Sequence, residues 1–69
     1  MNVISKNKVQ VFTSSKLKSV LEGDNDYNYI YLGSDITLLS GIIINSKKVE
    51  VTIDSTYENV RYTYTNKKV

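Results

Sequence analysis

Six tyrosines and a few carboxylates carry most of the chemistry open to this chain, because cysteine and histidine are both absent. Their absence removes thiolate nucleophiles, disulfides, imidazole bases, haem ligation and nearly every structural zinc arrangement. Any metal would have to be a hard, oxygen-bound ion such as calcium. The run Asp24-Asn25-Asp26 comes nearest to such a site. It lacks the bidentate glutamate of a calcium loop, the twelfth loop position falling on Asp35, so it reads as a turn. No metal and no cofactor are expected. Tyr27, Tyr29 and Tyr31 alternate with Asn28, Ile30 and Leu32. If the aliphatics face a core, the tyrosines form an outward stripe, and they are the candidate binding residues. Rings with polar tips suit sugar rings, peptide backbones or a partner's surface, though such a stripe also serves simply to cover its own sheet. Lys47-Lys48 and Lys67-Lys68 read as a solvated corner and a solvated tail. They are separated from the aromatics, and the net charge is only +2, so no nucleic-acid partner is expected.

The elements that must hold these residues are mainly strands. Alanine, proline and tryptophan are missing, while valine, isoleucine and threonine together number 21, and such side chains suit a pleated surface better than a helix. Residues 1–8 read as a loose tail or weak edge strand. Val9-Gln10-Val11-Phe12 alternates as a short strand. Thr13 and Ser14 are N-cap candidates for one helix over 14–22, whose apolar face is Leu17, Val20 and Leu21. Gly23 is expected to stop it in the left-handed conformation, with residues 23–26 as a turn. Short strands follow at 27–32, Ile36-Thr37-Leu38 and Ile42-Ile43-Ile44. Then come 49–54, with Val49, Val51 and Ile53 inward, and 60–65, with Val60, Tyr62 and Tyr64 on one face. Breaks are expected at Gly33-Ser34-Asp35, Ser40-Gly41 and Asn45-Ser46-Lys47-Lys48, with a frayed tail at 66–69.

Sixty-nine residues, 28 of them apolar, make one domain spanning 1–69 and no more. Ile30 to Ile53 and Ile36 to Val60 are spaced by 23 and 24 residues, about one turn of a three-sided parallel β-solenoid. No Asn-Gly or Asp-Gly hairpin turn occurs. Periodicity leaves two architectures open: a truncated parallel solenoid over 27–65 headed by the strand and helix of 9–26, or a small α+β domain with an antiparallel sheet packed on one helix. The richness in Phe, Tyr, Met, Ile, Asn and Lys, 30 residues in all, hints at an AT-rich bacterial or phage genome.

The segment YIYLGSDITLLSGIIINSKKVEVTID, residues 29–54, resembles the opening coil of the pectate lyase-like right-handed β-helix family. It is most similar to the adhesive, non-enzymatic domains of bacterial surface and surface-layer-related proteins. Ser55 stands where that family usually has glycine, and the chain stops within the second coil. The resemblance implies a truncated right-handed parallel β-helix whose helix caps one end. It also implies a non-catalytic adhesive or assembly module acting through an exposed strand edge and the tyrosine stripe. Its partners would be another copy, neighbouring β-helix coils or a cell-surface glycan. A lyase fragment is the catalytic alternative, and Asp54 with Arg61, and Asp35 as an outlier, are the groups that could serve it. A purely structural cap is the third reading.

Location stays open. The resemblance implies the cell surface or secretion, whereas the first residues lack the apolar run of a signal peptide. No stretch approaches the length of a membrane span.

Overall fold

The computed structural model describes residues 1–38 and 41–66. Strand β1 is Asn2–Val3 and β2 is Lys8–Val11, followed by helix α1, Ser14–Glu22. Strands β3, Tyr29–Leu32, and β4, Ile36–Leu38, come next. After a long irregular segment the chain forms β5, Thr52–Asp54, β6, Thr56–Tyr57, β7, Val60–Arg61, and β8, Tyr64–Asn66. The residues 1–8 expected as a tail or edge strand thus supply an edge strand, β1, antiparallel to β2.

Strands β2, β3 and β5 lie parallel, and their register sets aliphatic on aliphatic: Val9 beside Ile30 beside Ile53, and Val11 beside Leu32. Side chains alternate across a strand, so Lys8, Tyr29 and Thr52 share the opposite face with Gln10, Tyr31 and Asp54. Parallel neighbours need a crossover, and α1 supplies it between β2 and β3. Leu17, Val20 and Leu21 of α1 are buried against Val9, Val11, Ile30, Leu32, Ile36 and Leu38, and these nine side chains form the core.

Helix α1 begins where the threonine allows it. Thr13 is extended (φ −138°, ψ 155°), and its hydroxyl accepts from the Lys16 N–H at 3.1 Å. Its other end differs from expectation. Gly23 is extended, φ −78° and ψ 160°, and not left-handed. Glycine fits there because a Cβ would lie 2.8 Å from the Ser19 carbonyl oxygen. The last helical carbonyls are met by asparagines instead: Asn25 Nδ2 donates to Val20 O, Asn45 N to Leu21 O, and Asn45 Nδ2 to Glu22 O.

The truncated right-handed β-helix expected from the resemblance is corrected by this topology. The chain is a small α+β domain with a mixed four-stranded sheet in the order β1-β2-β3-β5, a parallel pair β4-β8 and an antiparallel hairpin β6-β7. None of these closes into a coil. The alternative α+β reading is the better one, with the sheet mixed where an antiparallel one was expected. The pairing of Ile30 with Ile53 is parallel at the expected spacing. Two features keep it from continuing as a coil.

First, Ile42-Ile43-Ile44, expected as a strand, forms no ladder. Its backbone is tied to the helix end, with Ile43 N donating to Glu22 Oε2 and Asn45 N to Leu21 O. Second, β6 and β7 reverse the chain through Glu58 and Asn59, both at positive φ. That hairpin lengthens the excursion, so Ile36 pairs with Tyr64 and not with the neighbourhood of Val60. Val49 is fully exposed, against the expectation that it faces inward, and Val60 is 48% exposed although alternation puts it on one face with Tyr62 and Tyr64. Val51, Ile53, Tyr62 and Tyr64 pack half-buried against the core. The expected corner at Ser40 and the tail at 67–69 lie outside the described residues. Among the described residues, no helix is long and apolar enough to cross a membrane.

Candidate functional site

Two surfaces hold the residues singled out above: the outer face of the mixed sheet, and its edge at β5, the last strand of the sheet among the described residues. On the face, strand alternation sends Tyr29 and Tyr31 outward together, their ring centroids 4.9 Å apart and tilted by 49°. Tyr57 from the hairpin completes the group, 5.0 Å from Tyr31 and edge-on at 61°. The Lys8 ammonium lies 5.4 Å from the Tyr29 ring centroid, within cation–π range. Tyr27 is elsewhere. It precedes β3, packs half-buried against the core, and its N–H donates to Asn25 Oδ1. The expected stripe of three is therefore a pair joined by Tyr57, a residue whose sequence neighbourhood gave no sign of it.

Tyr31 and Tyr57 meet edge to face and Tyr29 is tilted against Tyr31, arrangements that aromatics adopt when they pack on one another. The rings offer no coplanar platform of the sort a sugar ring stacks on. The polar tip of Tyr29 is also engaged. Tyr29 donates its hydroxyl hydrogen to Asp54 Oδ2 at 2.7 Å, and Thr56 N donates to Asp54 Oδ1 at 2.9 Å. The Tyr29 hydroxyl and then the Thr56 amide hold the Asp54 carboxyl below its usual range. The same bond, with burial, raises Tyr29. Burial and the nearby Glu58 raise Tyr57.

These contacts bear on catalysis. A carboxylate with both oxygens accepting hydrogen bonds and a lowered pKa is a weak proton acceptor. Asp35 is similarly used, its Oδ1 accepting from Thr63 N at 2.8 Å across 28 residues of chain. Arg61 sits exposed on β7 opposite Thr56. Among the described residues, no group of three carboxylates gathers closely enough to hold a metal ion. Asp24 instead pairs with Lys47 at 2.9 Å, both side chains well exposed.

The edge is the other surface. Thr52 N donates to Asn28 O, so Thr52 and Asp54 direct their backbone groups to β3, and by alternation Ile53 directs its N–H and C=O away from the sheet. On the second sheet, Ile36 N donates to Thr63 O, and Tyr64 likewise points its backbone outward. The inward side chains thin out toward this edge: Ile30 is fully buried, whereas Ile53 is half-buried.

No family model, no curated protein and no solved structure matches this chain. The resemblance of residues 29–54 to the pectate lyase-like family therefore stands on its own motifs alone. Sequence reasoning placed Tyr29 and Tyr31 on the outer face and Ile30 beside Ile53. It missed Tyr57, and it missed that Lys48 is held by backbone oxygens, because neither has a periodic signal.

Proposed function

We propose that this chain is a non-catalytic structural cap, closed on one side of its core by α1 and joining a second copy of itself through the β5 edge. The observation that carries this is the outward backbone of Ile53. A strand edge whose outward N–H and C=O have no partner among the described residues, above a half-buried aliphatic, is a template for another strand. A second copy suits it because the edge is self-complementary. Two β5 strands related by a two-fold axis run antiparallel and keep their inward faces on one side. Ile53 then faces its own counterpart, and the two exchange both backbone bonds. The flanking pairs become Thr52 with Asp54 in each direction, which sets no like charges opposite each other. The engaged oxygens of Asp54 and Asp35 support the non-catalytic part of the reading.

Sedimentation across a concentration series tests it, beside an Ile53→Pro variant. Proline at Ile53 removes the outward donor and leaves the Thr52 and Asp54 amides available to β3. The wild type is expected to shift toward dimer mass as concentration rises, and the folded variant to stay a monomer. A wild type that remains monomeric at millimolar concentration overturns the proposal. A Tyr31→Ser/Tyr57→Ser variant, which keeps the Tyr29–Asp54 bond to β5, moves the function to the aromatic face if it abolishes association.

A further inference from the structure

The corner where the irregular 41–51 segment meets the turn after α1 is built around one ammonium group. Lys48 Nζ donates to Asn25 O at 3.0 Å, Asn25 Oδ1 at 2.5 Å and Tyr27 O at 2.7 Å. An ammonium has three hydrogens, and all three are taken by oxygens converging from one turn. Asn25 is itself fixed, its Nδ2 donating to Val20 O and its Oδ1 also accepting from Tyr27 N. The nest is thus anchored to the helix end independently of Lys48. Asp24 and Asp26 add negative charge around it, opposing the burial that lowers the Lys48 pKa. The position is half-buried, at the side of an open depression of about 350 Å³ lined by Asp26, Asn28 and Glu50 among others.

We propose that this nest is a site for a primary ammonium ion, filled from within by Lys48, and that its occupancy latches residues 41–51 against the α1–β3 turn. Three converging oxygens suit a group with three hydrogen-bond donors, and a quaternary ammonium has none to give. The segment's other ties go elsewhere or are exposed, Ile42 and Val51 packing half-buried on the core. Lys47 to Asp24 is an exposed pair, and such pairs contribute little. Asn45 holds the helix carbonyls but not the turn at 24–27. Neutralising the Lys48 nitrogen, by substitution or by acylation, leaves the three oxygens facing the depression without a cation.

Amide hydrogen exchange of the full chain tests this at Asn45 and Lys48, whose N–H groups donate to Leu21 O and Asn45 O. Lys48→Ala removes the atoms of propylammonium, so the probes are propylammonium, tetramethylammonium and propanol at equal concentration. The variant is expected to exchange these two amides about tenfold faster, the order of one lost charge-assisted hydrogen bond. Propylammonium alone should restore the slow rate. Rescue by tetramethylammonium as well would mean that ionic strength acts, and would overturn the ammonium site. Lys48→Met keeps the aliphatic stem without donors and carries the test should the alanine variant fail to fold. Wild-type exchange in the methionine variant overturns the latch.

Discussion

Tyr29 on β3 reaches diagonally across the parallel ladder to Asp54 on β5, 2.7 Å from hydroxyl to carboxylate, although the backbone register sets Tyr31 opposite Asp54. The bond fastens the half-buried strand β5 to β3, whose Ile30 and Leu32 are fully buried, on the solvent face, where the aliphatic rungs cannot act.

The bond also gives stability a pH signature. Asp54 has a lowered folded pKa, so its contribution is present above the ordinary aspartate range and is lost as pH falls through the folded value. Tyr29 has a raised folded pKa, so its contribution holds below about pH 10 and is lost as pH rises through the folded value. Thermal melts should show a plateau between these limits. Tyr29→Phe should lower the plateau and weaken the acid limb, since the hydroxyl is the larger cause of the Asp54 shift. An acid limb unchanged in the variant would contradict the assignment.

The hairpin β6-β7 turns through Glu58 at φ 50° and Asn59 at φ 68°. Two central residues at positive φ are the signature of a type I′ turn, which asparagine and glycine adopt more readily than glutamate. Replacing the pair by Asn-Gly, Glu58→Asn with Asn59→Gly, should stabilise the domain by about 0.5–1 kcal/mol. Urea titration reads it as a higher midpoint at unchanged slope. A lower midpoint would mean that Glu58 contributes through its side chain more than its backbone loses.

Burial falls along one register row, from Val9 and Ile30 to Ile53, and the cost of truncation should fall with it. Ile30→Ala opens a cavity in a closed core and should cost about 2–5 kcal/mol. Ile53→Ala removes a side chain already half in water and should cost about 1 kcal/mol in the monomer. Equal costs in dilute solution would mean that β5 is covered there.

Much of this framework was legible in residue order, and the rest was not for definite reasons. Thr13, Leu17, Val20 and Leu21 announce α1 because capping and 3.6-residue spacing are local properties. The alternation of Tyr29, Ile30, Tyr31 and Leu32 and the distance from Ile30 to Ile53 announce a parallel pair. Ile42-Ile43-Ile44 misled because β-propensity says a segment suits a strand without supplying a partner, and here α1 captures the backbone first. The hairpin was hidden because a glutamate at positive φ leaves no compositional mark. Tyr27 shares the period of Tyr29 and Tyr31 but lies before the strand begins, where period no longer decides direction.

Gly33 offers the sharpest local test of packing around the tyrosine face. A Cβ there would fall 2.3 Å and 2.4 Å from two ring carbons of Phe12, and 3.1 Å from Gln10 Nε2. Its φ is not positive, so alanine is permitted by the backbone, and any cost is steric. Phe12 is only half-covered and can swing outward, whereas Gln10 is buried and hydrogen-bonded to Asn2. Gly33→Ala should therefore cost about 1–3 kcal/mol, the range of overpacking. In a Phe12→Ala background most of that cost should vanish, giving a coupling of about 1 kcal/mol or more in a double-mutant cycle. A cost that persists without the Phe12 ring would place the strain on Gln10 and its bond to Asn2, and β1 should then exchange its amides faster in the alanine variant.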